Sequence, residues 1–245
     1  MQAVILASGF NIRLKEITGD SSKAFLPIKG RPIIDYTIDC IPEDIPITVT
    51  TNRRFFMKFN VWALQKRRVS LYVEEVNSLE ESLGTIGSLE AFIKDKRIKE
   101  SLLILGADYY MRTSLNNFIK AFDGEHVLVA VWEVPILEEA RWHGVVKLNG
   151  RRIIEFLEKP QDPKSTLVDA LCYIFPLRIL DIVSNKDIMY RAPSGKMPRA
   201  GDFIAHLVDI GEIVLAYRFR EEWYHLSTPQ SYHNLVKGGE KWTLT

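Results

Sequence analysis

The sequence predicts a three-layer α/β fold on a mostly parallel, mixed sheet, and three observations predict it. The first half alternates short β-branched apolar runs with helical patterns, the rhythm of strands joined by crossover helices. Those runs are continuously apolar, so the sheet should be covered on both faces. The second half carries Asn149-Gly150 between two strand-like runs, a hairpin signal that brings antiparallel strands into the same sheet.

Taken in order, the strands are AVILA (3–7), ITVTT (47–51), VSLYVEE (69–75), SLLILGAD (101–108) and HVLVAVWEV (126–134). The hairpin VVKLNGRRIIEF (145–156), DALCYIF (169–175) and EIVLAYRF (212–219) follow. Helical patterns fall at about 32–41, 53–66, 84–95 and 114–123, with another from about 177 to 185. Pro32 suits a first helical turn, and Ser114 can cap the helix after it. Gly201-Asp202 opens the helix FIAHLVDI, Gly211 supplies its stop, and Thr228-Pro229 begins the last helix. No repeat, low-complexity segment or linker divides the 245 residues, which predicts a single domain with a hairpin insertion.

Composition narrows the function. A net charge of +1 with no basic block gives no case for nucleic acid. Lys66-Arg67-Arg68 reads as a solvated helix end. Cys40 and Cys172 sit in apolar runs, which argues against a disulfide or zinc site and fits a reducing, cytoplasmic setting. Met1 leads directly into a strand and no run reaches membrane-spanning length, so neither a signal peptide nor a membrane segment is expected.

The stretch LASGFNIRL (6–14) stops a buried strand at a small-residue turn and places Arg13 just beyond it. In a parallel sheet such loops lie at the carboxyl edge, where backbone N–H groups can hold anionic oxygens. Gly9 alone does not make a dinucleotide fingerprint, and Ser194-Gly195-Lys196-Met197 does not make a P-loop. Asp108 ends the run LLILGA, where a carboxylate would meet that same edge; it could ligate a metal or cap a turn.

Read together, these pieces resemble the sugar-1-phosphate nucleotidyltransferases, which include the thymidylyl- and uridylyltransferases of glucose-1-phosphate and the guanylyltransferases of mannose-1-phosphate. L-A-S-G-x-x-x-R-L followed by K-A-F-L-P-I-x-G-R-P-I-I-D-Y resembles their amino-terminal signature. LGTIGSLEAF (83–92), LILGADYY (103–110), HGVVKLNGRRIIEFLEKP (143–160), DALCYIF and WYHLSTPQSYHNL (223–235) resemble further motifs in the family's order. The resemblance spans residues 1 to about 236. It implies a Rossmann-like nucleotide-diphospho-sugar transferase fold, with a nucleotide-binding half (1–134), a sugar-phosphate-binding half (135–236) and a tail (237–245).

The implied reaction joins a nucleoside triphosphate to a sugar-1-phosphate and releases pyrophosphate, so fixed cations matter more than an acid or base. By resemblance, Arg13 holds the triphosphate, Lys23 neutralises the phosphates at the reacting centre, and Asp108 ligates Mg2+, with Mn2+ as the alternative. Leu6, Ala7, Ser8, Gly9, Gly84 and Thr85 would contact the nucleotide. Lys159 would meet the sugar phosphate, with Glu158, Asp169 and the backbone N–H of Gly144 around the sugar. His225 stands where the family has its second metal carboxylate, and imidazole suits softer metals than magnesium. Asn11 and Ile12 replace a glycine and a threonine, and Leu171 replaces a glycine beside the sugar. Leu79 stands where many relatives read the base with Gln, leaving Glu75 or Asn77 to do so. The competing readings are a regulatory homologue that binds nucleotide without turnover and, far behind, a glycosyltransferase, which would want a D-x-D motif. A choline or inositol phosphate acceptor is a variant of the first reading. Oligomerisation is left open, and no acetyl-transfer domain is expected.

Overall fold

In the computed structural model of the chain, residues 1–184, 199–221 and 223–237 are described. The segment Ser194–Met197 and the tail beyond 237 lie outside them.

Thirteen strands are present among the described residues. They are β1 (Gln2–Leu6), β2 (Pro27–Ile28), β3 (Arg31–Pro32), β4 (Ile47–Asn52), β5 (Val69–Glu74), β6 (Leu102–Gly106) and β7 (Tyr109–Met111). Then follow β8 (Val127–Glu133), β9 (Gly144–Asn149), β10 (Arg152–Glu158), β11 (Leu167–Phe175), β12 (Val214–Arg218) and β13 (Trp223–His225). The helices are α1 (Lys15–Thr18), α2 (Ile33–Cys40), α3 (Phe56–Ala63), α4 (Gly84–Lys96) and α5 (Asn116–Lys120). They continue with α6 (Leu177–Val183), α7 (Ala200–Asp209) and α8 (Pro229–Lys237).

Nine strands form one mixed sheet in the order β5-β4-β1-β6-β11-β8-β12-β10-β9. β5, β4, β1 and β6 run parallel, β11 runs antiparallel to both β6 and β8, and β9 and β10 pair antiparallel around the Asn149-Gly150 turn. Alternation along β1 explains the layers. Ala3 and Ile5 pack in a core with Ile34 and Ile38 of α2 and Phe59 and Trp62 of α3. Val4 packs in the opposite core with Leu89 and Phe92 of α4 and Phe203 and Leu207 of α7. Burying β1, β6 and β11 on both faces is why their sequences read as unbroken apolar runs.

The chain passes from β1 outward through β4 to β5, then returns to place β6 on β1's other side. That reversal opens a crevice at the carboxyl ends of β1 and β6, the place where open α/β sheets bind ligands.

Several local expectations shift. Ser114 Oγ accepts from Asn116 N at 3.2 Å, but the N-cap position is Leu115, whose carbonyl accepts from Ile119 N, and α5 begins at Asn116. Pro32 lies in the β2–β3 hairpin ahead of α2 rather than in its first turn; Lys29 and Gly30, at φ 48° and 79°, form the turn. SLLILGAD forms β6 alone, which ends at Gly106; past Ala107-Asp108 a separate strand, β7, pairs with β13 in a two-stranded sheet. That pairing carries His225 to Asp108. Cys40 and Cys172 are free thiols buried in one core.

Candidate functional site

The loop after β1 is held by β4 and β5. Thr50 Oγ1 accepts from Ala7 N at 3.2 Å, and Asn52 Nδ2 donates to Ser8 O at 2.8 Å. The Ser8 hydroxyl donates to the carboxylate of Glu74, the last residue of β5. Burial pushes the Glu74 pKa up, opposed by hydrogen bonds from Ser8 and Ser88. Asn11 adopts φ 55°, and its Nδ2 donates to Ser21 O at 2.9 Å, which closes the turn that presents Arg13.

Asp108 is the centre of charge. Lys23 Nζ stands 2.5 Å from Asp108 Oδ2, and His225 Nε2 stands 3.0 Å from the same oxygen. Burial raises the pKa of a carboxyl, yet here Lys23 and His225 outweigh it and hold Asp108 far below the ordinary range. The His225 ring stacks on Tyr109 at 4.6 Å and 11°, and Leu226 N donates to Asp108 O at 2.9 Å, so β13 and the β6–β7 turn act as one block.

The facing wall comes from β9, β10, β11 and the start of α7. Asp169 Oδ1 accepts from Gly144 N at 3.0 Å, and Asp169 Oδ2 accepts from Tyr173 Oη and from Leu171 N. The Gly144 N–H is thereby tied to Asp169 at the wall of the cleft. Gly144 itself is required by crowding: a Cβ would lie 2.3 Å from Phe156. Lys159 Nζ lies 3.6 Å and Arg199 Nη1 3.5 Å from Glu158 Oε1. Burial and the neighbouring Asp169 nevertheless raise the Glu158 pKa to about 7. Burial, with His225 and Lys159 nearby, lowers the His143 pKa to about 3 and leaves that ring neutral. Leu171 sits at φ 41° in a β11 irregularity between Asp169 and Tyr173, a left-handed conformation that strains a leucine.

These elements enclose one cleft of about 380 Å³. Of the fourteen residues singled out from the sequence, Leu6, Ser8, Gly9, Arg13, Lys23, Gly84, Thr85, Asp108, Gly144, Glu158, Lys159, Asp169 and His225 line it. Ala7 is buried behind the loop. Glu75 pairs with Arg53 at 2.6 Å and Asn77 N donates to Glu81 at 2.8 Å; neither lines the cleft. Sequence reasoning missed Glu74, Ser88, Trp142, His143, Tyr173 and Arg199. Glu74 carried a legible signal, a carboxylate ending an apolar strand. Trp142 did not, and it comes to the rim, where Arg13 Cζ lies 5.8 Å from its ring.

The donor set is a limited fit to a metal. Among the described residues no three His, Cys, Asp or Glu side chains group to hold one. Asp108 alone fits magnesium, as one carboxylate completed by substrate phosphates and water. His225 Nε2 is engaged by Asp108 instead.

A glycine-containing loop and two cations stand at the carboxyl edge of a parallel sheet and face a wall of buried carboxylates, an arrangement of an α/β protein that can hold anionic oxygens. The model for the nucleotidyl transferase family matches residues 2–241, and the chain belongs to that family. A provisionally named mannose-1-phosphate guanyltransferase of Sulfolobus acidocaldarius is 25% identical over 95% of this chain and 61% of its own length. The bifunctional protein GlmU of Methanocaldococcus jannaschii is 28% identical over 94% of this chain and 52% of its own. The chain thus spans roughly half to two-thirds of the length of these relatives. A provisionally assigned glucose-1-phosphate thymidylyltransferase of Bacillus anthracis superposes with a TM-score of 0.81 at 19% identity, covering 100% of this chain and 97% of that one. It shares the α/β fold and mixed sheet. No helix among the described residues is long and apolar enough to cross a membrane.

Proposed function

We propose that this protein transfers a nucleotidyl group from a nucleoside triphosphate to a sugar-1-phosphate, giving a nucleoside diphosphate sugar and pyrophosphate. The observation that carries this reading is the division of one cleft. Arg13, Lys23 and Asp108 stand on the β1–β6 side, and Glu158, Lys159 and Asp169 stand opposite.

A phosphate oxygen of the sugar-1-phosphate attacks the α-phosphorus, the new P–O bond forms, and the bond to the β-phosphate breaks in line. The nucleophile is already an anion, so no general base is required. The obstacle is bringing like charges together. A unit charge pair about 4 Å apart interacts by roughly 4 kcal/mol at an effective dielectric near 20, so a few aimed cations decide the rate. Lys23 is held in place by Asp108 at 2.5 Å and meets the α-phosphate; Arg13 holds the pyrophosphate end. Lys159 takes the incoming sugar phosphate, and Glu158 and Asp169 accept sugar hydroxyls. His225 orients the Asp108 carboxylate. Magnesium would be held by Asp108 with phosphate oxygens and would supply further positive charge against the triphosphate.

The test is pyrophosphate release from each common nucleoside triphosphate paired with hexose-1-phosphates, with magnesium and separately with manganese. Release that depends on one sugar phosphate and falls at least a hundredfold in Lys23→Ala supports the reading. Nucleotide binding with no release from any pair would replace it with a regulatory homologue.

A further inference from the structure

A second cavity, of about 550 Å³, adjoins the cleft across His143 and His225, whose ring centres stand 5.5 Å apart. Both cavities are lined by these two histidines and by Trp142 and Ser227. Nothing in the transfer reaction uses the second one. Its walls include Trp132 and Trp223. Six buried side-chain polar atoms among the described residues lack a hydrogen-bond partner, and three belong to this cavity's lining: Trp132 Nε1, Trp223 Nε1 and His225 Nδ1. Two of these are indole donors and the third is an imidazole nitrogen, and all three lie beneath the surface of residues that form the cavity's wall.

We propose that this cavity is a second binding site, taking a neutral hydroxylated ligand of the size of a glycosyl unit. Its volume falls within the range of small-molecule pockets. Indole faces suit the C–H faces of a sugar ring. Among the described residues, the charged lining carries the carboxylates of Glu133, Glu139 and Glu221 against the guanidinium of Arg220. That balance accepts hydroxyl donors and repels phosphate or a nucleotide, so this site selects what the reaction cleft does not. Because His225 touches Asp108 through Nε2 and lines the second cavity, the occupant sits one side chain from the reacting centre.

The experiment follows the indole N–H signals of the full-length protein by 15N-resolved NMR while glucose, mannose, galactose and, separately, inorganic phosphate are added. Trp132→Phe and Trp223→Phe assign the two reporters. Trp62, whose Nε1 donates to Asp35 at 2.9 Å, is the internal control. The expected result is a saturable shift of the Trp132 and Trp223 signals with at least one hexose, with half-saturation below about 10 mM. The shift should persist in Lys23→Ala, which disables transfer, and Glu139→Gln should weaken it at least fivefold. No movement of either reporter, or movement with phosphate but not with sugars, would overturn the proposal. Transfer activity is scored separately: hexose shifts in an inactive protein leave this proposal standing, and turnover without them removes it alone.

Discussion

Replacing Asp108 by Asn keeps the side chain's shape and removes its charge. The carboxylate is 9% exposed, with Lys23 Nζ at 2.5 Å and His225 Nε2 at 3.0 Å from one oxygen. Breaking a fully buried pair costs about 3–5 kcal/mol, since the partner's charge is left uncompensated. Lys23 is 28% exposed and can turn toward water, so about 2–3 kcal/mol is the figure for this site. For a chain of this size that is a fall in Tm of roughly 4–12 °C. The pH dependence has a definite sign. The folded pKa of Asp108 lies far below its unfolded value of about 3.9, so the carboxylate's contribution is complete above that value and fades as pH falls below it. Thermal unfolding of both proteins at pH 7 and at pH 3.5 measures this. The gap between wild type and Asp108→Asn should be full at pH 7 and smaller at pH 3.5. An Asn variant as stable as wild type at pH 7, or a gap that widens in acid, would refute the electrostatic account of this centre.

Leu171→Gly relieves a left-handed leucine at φ 41°, a strain of about 1–2 kcal/mol that offsets the lost packing. Its Tm should therefore move by less than about 4 °C, while KM for the sugar-1-phosphate changes severalfold and KM for the nucleotide does not; a shift confined to the nucleotide would place Leu171 on the wrong wall. Glu158 titrates near pH 7, so KM for the sugar-1-phosphate should inflect there, and Glu158→Gln should abolish the inflection. Between roughly pH 4.3 and 7 the folded chain holds a proton on Glu158 that the unfolded chain has released, so stability falls as pH rises through that window. The Gln variant should lose that slope in unfolding titrations.

Much of this was legible because it is local. Strands buried on both faces announce themselves as unbroken apolar runs, and Asn149-Gly150 announces its own turn. A residue that ends such a strand stands at the ligand edge, so Ser8, Arg13 and Asp108 could be found by position. β13 was not legible. Three residues, Trp223 to His225, have no periodicity to read, and their pairing with β7 depends on chain 112 residues away. Glu74 was passed over for a similar reason, since its partner Ser8 lies on the loop after β1, far away in the chain.

Protonation is the property of this site that no local pattern carries. Glu158 and Asp169 lie on different strands, and Asp169 and burial together raise the Glu158 pKa to about 7, even with Lys159 and Arg199 beside it. Asp108, equally buried, is driven the other way because Lys23 from the first loop and His225 from the last strand converge on one oxygen. Two carboxylates lining the same cleft thus differ in charge at neutral pH: Asp108 has Lys23 at 2.5 Å, whereas Glu158 has Asp169 as a like-charged neighbour and its cations stand no nearer than 3.5 Å. In the proposed reaction the ionised one would face the phosphates with Lys23 fixed against it, and the half-protonated one the hydroxyls, where a group able both to accept and to donate is the more useful. The fold thereby divides its charge along the same line that divides the two proposed substrates.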